Sequence, residues 1–273
     1  MFRATLSFVT LAFGLLAGSA MAQSSSLEAL QTGDDARGWE AVGRLDIDGK
    51  GFCTGALIAP DIVLTAAHCL FDKTTHQQID ATRISFLAGL RNGRAEAYRG
   101  VARAVIPEGY VFDDAVSSDA TRQDVALLQL DQAIRATQIT PFQTVTRLRR
   151  GTQVGIVSYA HDRAETPSLQ EVCDVMGQQE GILVLGCDVD FGSSGAPIFA
   201  IEDGVARIVS VVSAKATIED QRVALGTALD APLSELQAQL ASGAGVIQRN
   251  PVPTVRVIGG GERAETGAKF VRP

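Results

Sequence analysis

The sequence is poor in basic residues, in aromatics and in long apolar runs. Lysine and arginine number 24 against 31 aspartates and glutamates, a formal net charge of −7 over 273 residues. A nucleic-acid partner would favour a basic face, so none is expected. Aromatic residues make up 5%. Past the N-terminal segment no apolar stretch approaches the ~20 residues of a membrane-spanning helix, so no membrane partner is expected once that segment is removed. No Cys-x-x-Cys pair or close Cys/His cluster argues for zinc, and neither metal nor cofactor is expected. No fixed-period repeat of the solenoid kind occurs.

What is present is a hydrophobic content of 46% and 27 glycines. That suffices for one large domain or two small ones. Abundant Gly with many Val, Ile and Thr suits strands and turns better than helices. The chain begins with Arg3, an apolar run from Leu6 to Leu16, and the small-residue site Ala20-Met21-Ala22. This is the layout of a secretory signal peptide over 1–22, cut before Gln23, and a secreted or periplasmic protein is expected. Four cysteines, Cys53, Cys69, Cys173 and Cys187, read as two disulfides in an exported chain. Of the three possible pairings, joining sequence neighbours gives Cys53–Cys69 and Cys173–Cys187.

Residues 23–37 are polar and read as a flexible leader. From 38 the chain alternates like half-buried strands, with turn signals such as Asp48-Gly49-Lys50-Gly51. Short strand-like segments recur to about 135 and again from about 145 to 230, with a linker near 131–148. Such punctuation argues for barrels or sandwiches. Leu233, Leu236 and Leu240 at helical spacing behind Pro232 predict a helix over 231–241. The stretch 242–273 reads as a disordered tail.

Three segments carry chemistry. They are Thr65-Ala66-Ala67-His68-Cys69, Asp124-Val125-Ala126-Leu127-Leu128-Gln129-Leu130 and Gly192-Ser193-Ser194-Gly195-Ala196-Pro197. A serine hydroxyl needs a base to become a nucleophile, and imidazole titrates in the right range. A buried carboxylate holds the imidazole tautomer, and glycines beside a nucleophile allow a turn that aims backbone N–H groups at an oxyanion.

In this order the segments resemble the trypsin-like (chymotrypsin-fold) serine peptidases, in particular their compact bacterial branch. The order differs from those of the subtilisins and the α/β-hydrolases. The resemblance covers about 40–241. It implies an all-β fold: two packed six-stranded antiparallel barrels with a C-terminal helix and the site between them. It implies a serine endopeptidase, expected as a monomer, acting on protein or peptide substrates. Its nucleophile would be Ser194, its base His68 and its orienting acid Asp124, with an oxyanion hole from the N–H groups of Gly192 and Ser194. Asp113, Asp114 and Asp119 are the rivals of Asp124, and Ser193 the rival nucleophile. His76 and His161 read as surface residues. A non-catalytic binding module on the same fold is the alternative, though such modules usually lose a member of the three.

Ser193 stands where the digestive members carry an Asp that accepts a newly released N-terminus. Activation by such an insertion is therefore not expected. Residues 71–80 and 107–123 read as insertions. By the same resemblance Asp188 would form the base of the specificity pocket and favour Arg or Lys at the cleaved bond. Ser213 would line the pocket near Asp124, with Lys215 at its entrance.

Overall fold

The computed structural model describes residues 25–244 except 114, 147, 149–151 and 219. The predicted signal peptide and residues 245–273 of the tail lie outside the described residues. Among the described residues no helix is long and apolar enough to cross a membrane.

The chain opens with a two-residue strand, β1 (Glu28–Ala29). Six strands follow: β2 (Val42–Ile47), β3 (Gly51–Ala59), β4 (Ile62–Thr65), β5 (Ile84–Ala88), β6 (Ala97–Val105) and β7 (Ala126–Leu130). They close into an antiparallel barrel in the order β2-β3-β4-β7-β6-β5. The β2–β3 hairpin shows how the sequence sets this. Asp48 and Gly49 both have positive φ, 55° and 66°, and Lys50 N–H returns to the Ile47 carbonyl at 3.0 Å. This is the mirror-image turn whose twist matches paired strands, and Asp-Gly is its preferred pair. Leu45 and Ile47 then face inward, while Arg44 and Asp46 pair with each other on the opposite face.

The second half holds β8 (Val154–Ala160), β9 (Arg163–Cys173), β10 (Val175–Gln179), β11 (Ile182–Leu185), β12 (Pro197–Glu202), β13 (Val205–Ile218) and β14 (Gln221–Ala228). They form one antiparallel sheet ordered β1-β9-β8-β12-β13-β14-β11-β10. Here the second barrel of the expectation is altered in detail. The sheet has eight strands: the leader's β1 joins the seven of this half, in which β10 and β11 form a hairpin through Glu180 and Gly181, both at positive φ. The gap between β9 and β11 is spanned by the Cys173–Cys187 disulfide and by Gly186 N–H donating to the Asp174 carbonyl at 2.9 Å.

The leader is also corrected: its described part is docked, not loose. Glu28 and Ala29 pair with Leu169 and Ser168 of β9, and Leu30 N–H donates to the Pro167 carbonyl at 2.9 Å. Leu30 and Ala36 are buried. Without β1, β9 would present an edge of unpaired backbone groups, and the leader satisfies them.

Two α-helices complete the elements of the described residues. The short α1 (Ser118–Gln123) is capped by Ser117 Oγ, which accepts from Ala120 N–H, and delivers the chain to Asp124. The second, α2 (Pro232–Ala241), starts on its proline and buries Leu233, Leu236 and Leu240 against the first barrel. The larger apolar core runs from that barrel into Tyr159 and Phe199 of the second half, which joins the two halves. A smaller core, with Ile156, Leu185 and Val212, fills the second sheet.

Candidate active site

His68 sits in a single 3-10 turn (Ala67–Leu70) just after β4, tied back to β3 by the Cys53–Cys69 disulfide. Asp124 lies between α1 and β7 and is 3% exposed. Its Oδ1 accepts the His68 backbone N–H at 2.8 Å, and its Oδ2 lies 2.7 Å from His68 Nδ1. Ser213 Oγ donates to the same Oδ2 at 2.5 Å. These three donors satisfy the oxygens of a buried carboxylate. Nδ1 is therefore the protonated ring nitrogen, and Nε2 is left with its lone pair. Nearby, burial and then the Asp124 charge push the Tyr110 phenol far above its ordinary range, so Tyr110 stays neutral.

Ser194 lies on the loop between β11 and β12. It lines two clefts with His68. Among the described residues no hydrogen bond joins Ser194 Oγ to His68 Nε2; such bonds often tighten only when substrate binds. Gly192 and Gly195 flank it at φ +99° and +74°. A Cβ on Gly195 would fall 2.1 Å from Thr65 Oγ1 and 2.5 Å from the Thr54 carbonyl, so no side chain fits. The loop's backbone donors divide sharply. Ser193 N–H donates to the Asp190 carbonyl and Gly195 N–H to that of Val212. The N–H groups of Gly192 and Ser194 have no acceptor among the described residues.

Ser193 is fully buried. Its Oγ accepts from Asp190 N–H at 3.3 Å and bonds the Tyr159 carbonyl at 3.2 Å and Ser158 Oγ at 3.3 Å. These are neutral partners, so this rival serine is occupied in the interior.

The two clefts differ in lining. One, of about 240 Å³, is walled by Tyr110, Val189, Asp190, Val212, Ser213 and Lys215. The other, of about 460 Å³, has an apolar floor of Ile47, Phe52, Phe71 and Ile79 beneath Lys73 and His161. Both loops expected as insertions, 71–80 and 107–123, contribute to the rims. His76 sets its ring against Phe112, while His161 is exposed at the rim of the second cleft.

The pocket expected from Asp188 is not what the structure forms. Asp188 is exposed, donates its N–H to Gln170 Oε1 at 2.8 Å, and is absent from the walls of both clefts. Lys215 does line the first cleft, but its Nζ bonds Asp190 Oδ1 at 2.7 Å and lies 4.0 Å above the Phe191 ring. Asp190, not singled out from the sequence, lines the first cleft. Its only signal was its nearness to Asp188. Ligand-type atoms of Cys53, His68 and Cys69 lie within 4.8 Å of one another, yet the two sulfurs are bonded together and offer no thiolate to a metal.

The family profile for the trypsin-like peptidase domain matches residues 53–206, more than half of the chain. The chain belongs to the trypsin-like peptidase family. This trypsin-like peptidase is 29% identical over 152 residues to a glutamyl endopeptidase of Bacillus licheniformis, covering 55% of this chain and 45% of that one. It is 28% identical over 189 residues to serine protease 23 of Mus musculus, covering 58% and 49%. It thus spans about half the length of these curated relatives. Among solved structures, a Glu endopeptidase in complex with MPD superposes with a TM-score of 0.64 at 19% identity, over 81% of this chain and 99% of that one. A thermostable serine protease, AL20, from an extremophilic microorganism gives 0.59 at 17%, over 74% and 97%. At these identities the superpositions bear on the fold, which is chymotrypsin-like.

Proposed function

We propose that this trypsin-like peptidase is an exported serine endopeptidase that cleaves peptide bonds through an acyl-enzyme. One observation carries the reading: Asp124 receives both the backbone N–H and Nδ1 of His68, which leaves Nε2 as the free base in the clefts that Ser194 lines. Ser194 Oγ attacks the carbonyl carbon as Nε2 takes its proton. The developing oxyanion accepts from the unpartnered N–H groups of Gly192 and Ser194. Nε2–H then protonates the leaving amine, and water repeats the sequence on the ester. Each oxyanion donor is worth on the order of 10²–10³ in turnover in enzymes of this logic. Export rests on the N-terminal Arg3, apolar run and small-residue site, and two disulfides suit an oxidising compartment.

The leaving group belongs in the second cleft. Nε2 must reach the amine, and Cys69 Sγ, which lines that cleft, is 3.9 Å from Nε2. The acyl side then occupies the cleft with Asp190 and Lys215. Lys215 supplies a cation there for an acidic side chain, which would share it with Asp190. We therefore propose an acidic residue before the cleaved bond, a reading that the glutamyl endopeptidase relative supports.

A fluorophosphonate probe tests the peptidase reading: labelling maps to Ser194 and is lost in Ser194→Ala. Failure of the intact protein to label leaves the binding module as the better account. Profiling on a peptide library tests the specificity. Dominance of Arg or Lys before the cut would sink the acidic preference.

A further inference from the structure

Four successive carbonyls of the loop that holds Ser194 are each anchored. Phe191 O accepts from His161 N–H at 2.7 Å, Gly192 O from Thr54 Oγ1 at 2.9 Å, Ser193 O from Ala196 N–H at 2.9 Å, and Ser194 O from Thr54 N–H at 2.9 Å. In a trans peptide the N–H points opposite to its carbonyl. Holding Phe191 O therefore turns the Gly192 N–H outward, and holding Ser193 O does the same for Ser194 N–H. Thr54 pins the two peptide units that alternate with these.

Three of the four anchors are backbone N–H groups. The fourth, Thr54 Oγ1, is the one anchor made by a side chain. It acts on Gly192, a glycine held at φ +99°. Thr54 is fully buried on β3 of the first barrel, so the anchor also crosses between the halves. Its hydroxyl bonds in both directions: it donates to Gly192 O and accepts from Tyr159 N–H at 3.1 Å. Its own carbonyl is held by Thr65 Oγ1 at 2.8 Å and packs where Gly195 has no side chain.

We infer that Thr54 is a positioning residue: its hydroxyl holds the oxyanion loop in the competent arrangement from the first barrel. This rests on the peptidase reading. Because the hydroxyl acts on the oxyanion donors and not on substrate binding, its loss falls on turnover.

The test compares the intact protein with Thr54→Val and Thr54→Ser, measuring kcat, KM, and inhibition by a peptide aldehyde and by the matching product acid. Thr54→Val lowers kcat on the order of 10²-fold, the scale of losing one oxyanion donor, with KM within about threefold. It weakens the aldehyde, which forms an oxyanion on Ser194, and spares the product acid. Thr54→Ser recovers kcat to within about threefold of the parent. Equal kcat in Thr54→Val and the parent overturns the inference, as does an equal loss in Thr54→Ser, which would mark packing instead of the hydroxyl. Should Thr54→Val not fold, Thr54→Ala against Thr54→Ser carries the same comparison. A parent that neither labels with fluorophosphonate nor turns over overturns the peptidase reading itself, and this inference with it. A parent that labels beside an unimpaired Thr54→Val overturns this inference alone.

Discussion

Ser213 Oγ donates to Asp124 Oδ2 at 2.5 Å, the same oxygen that holds His68 Nδ1. The carboxylate is thus fixed from the second sheet while it orients a histidine of the first barrel. Ser213→Ala removes a hydrogen bond to a charged group, a class worth about 1.5–3 kcal/mol. The expected result is a fall in kcat of about tenfold or more with KM little changed, read from steady-state kinetics on a peptide substrate. An unchanged kcat would show that the histidine holds Asp124 unaided.

Gly195 and Gly192 separate folding from chemistry. Gly195→Ala forces a side chain onto Thr65 Oγ1 and the Thr54 carbonyl at φ +74°, where a left-handed residue alone costs roughly 1–2 kcal/mol. It is expected to yield little folded protein. Gly192→Ala, at φ +99°, meets chiefly the end of the Phe52 side chain, at 2.2 Å, and the Ala160 backbone only at 3.1 Å. It is expected to fold and lose on the order of 10² in kcat. Circular dichroism and kinetics on both variants check the contrast.

The docked leader predicts a stability effect. A chain starting at Gly38 exposes the β9 edge and loses the buried Leu30, whose side chain is worth about 1.5–3 kcal/mol, besides several backbone bonds. Its melting temperature is expected to fall by roughly 5–10 °C. Hydrogen exchange at Leu169 and Val172 should quicken, and unchanged exchange there would contradict the docking.

Asp72 gives a pH signature. Its carboxylate accepts from Thr75 and Thr74 N–H and from Lys50, which lowers its pKa from 3.8 to about 2. A depressed carboxylate contributes stability above its unfolded pKa and loses it as pH falls through the folded value. The stability difference between the parent and Asp72→Asn is therefore expected at pH 6, shrinking between about pH 4 and 2. Thermal melts across that range measure it.

The meeting of His68 and Asp124 was legible because short-range features mark both. A cysteine follows His68, and an apolar strand follows Asp124. The first barrel was legible for the same reason, in alternation and an Asp-Gly turn. The leader's docking was not, since an unpaired strand edge more than a hundred residues away is invisible in a polar stretch. Asp188 misled because position counted along a loop assumes the loop's path. Here Asp188 N–H is held by Gln170, and Asp190 is the aspartate of this loop that lines the first cleft. Thr54 was written inside Cys53-Thr54-Gly55, yet its partners lie on a loop some 140 positions later in the sequence, so no local pattern marks it.

The central claim is that Ser194 becomes acylated. Intact-mass analysis of the full chain, quenched in acid during turnover of an activated peptide ester, tests it most directly. The account predicts one acyl group mapping to Ser194, absent from Ser194→Ala and strongly reduced in His68→Ala. An acyl group on Ser193, or none at any stage of turnover, would contradict it.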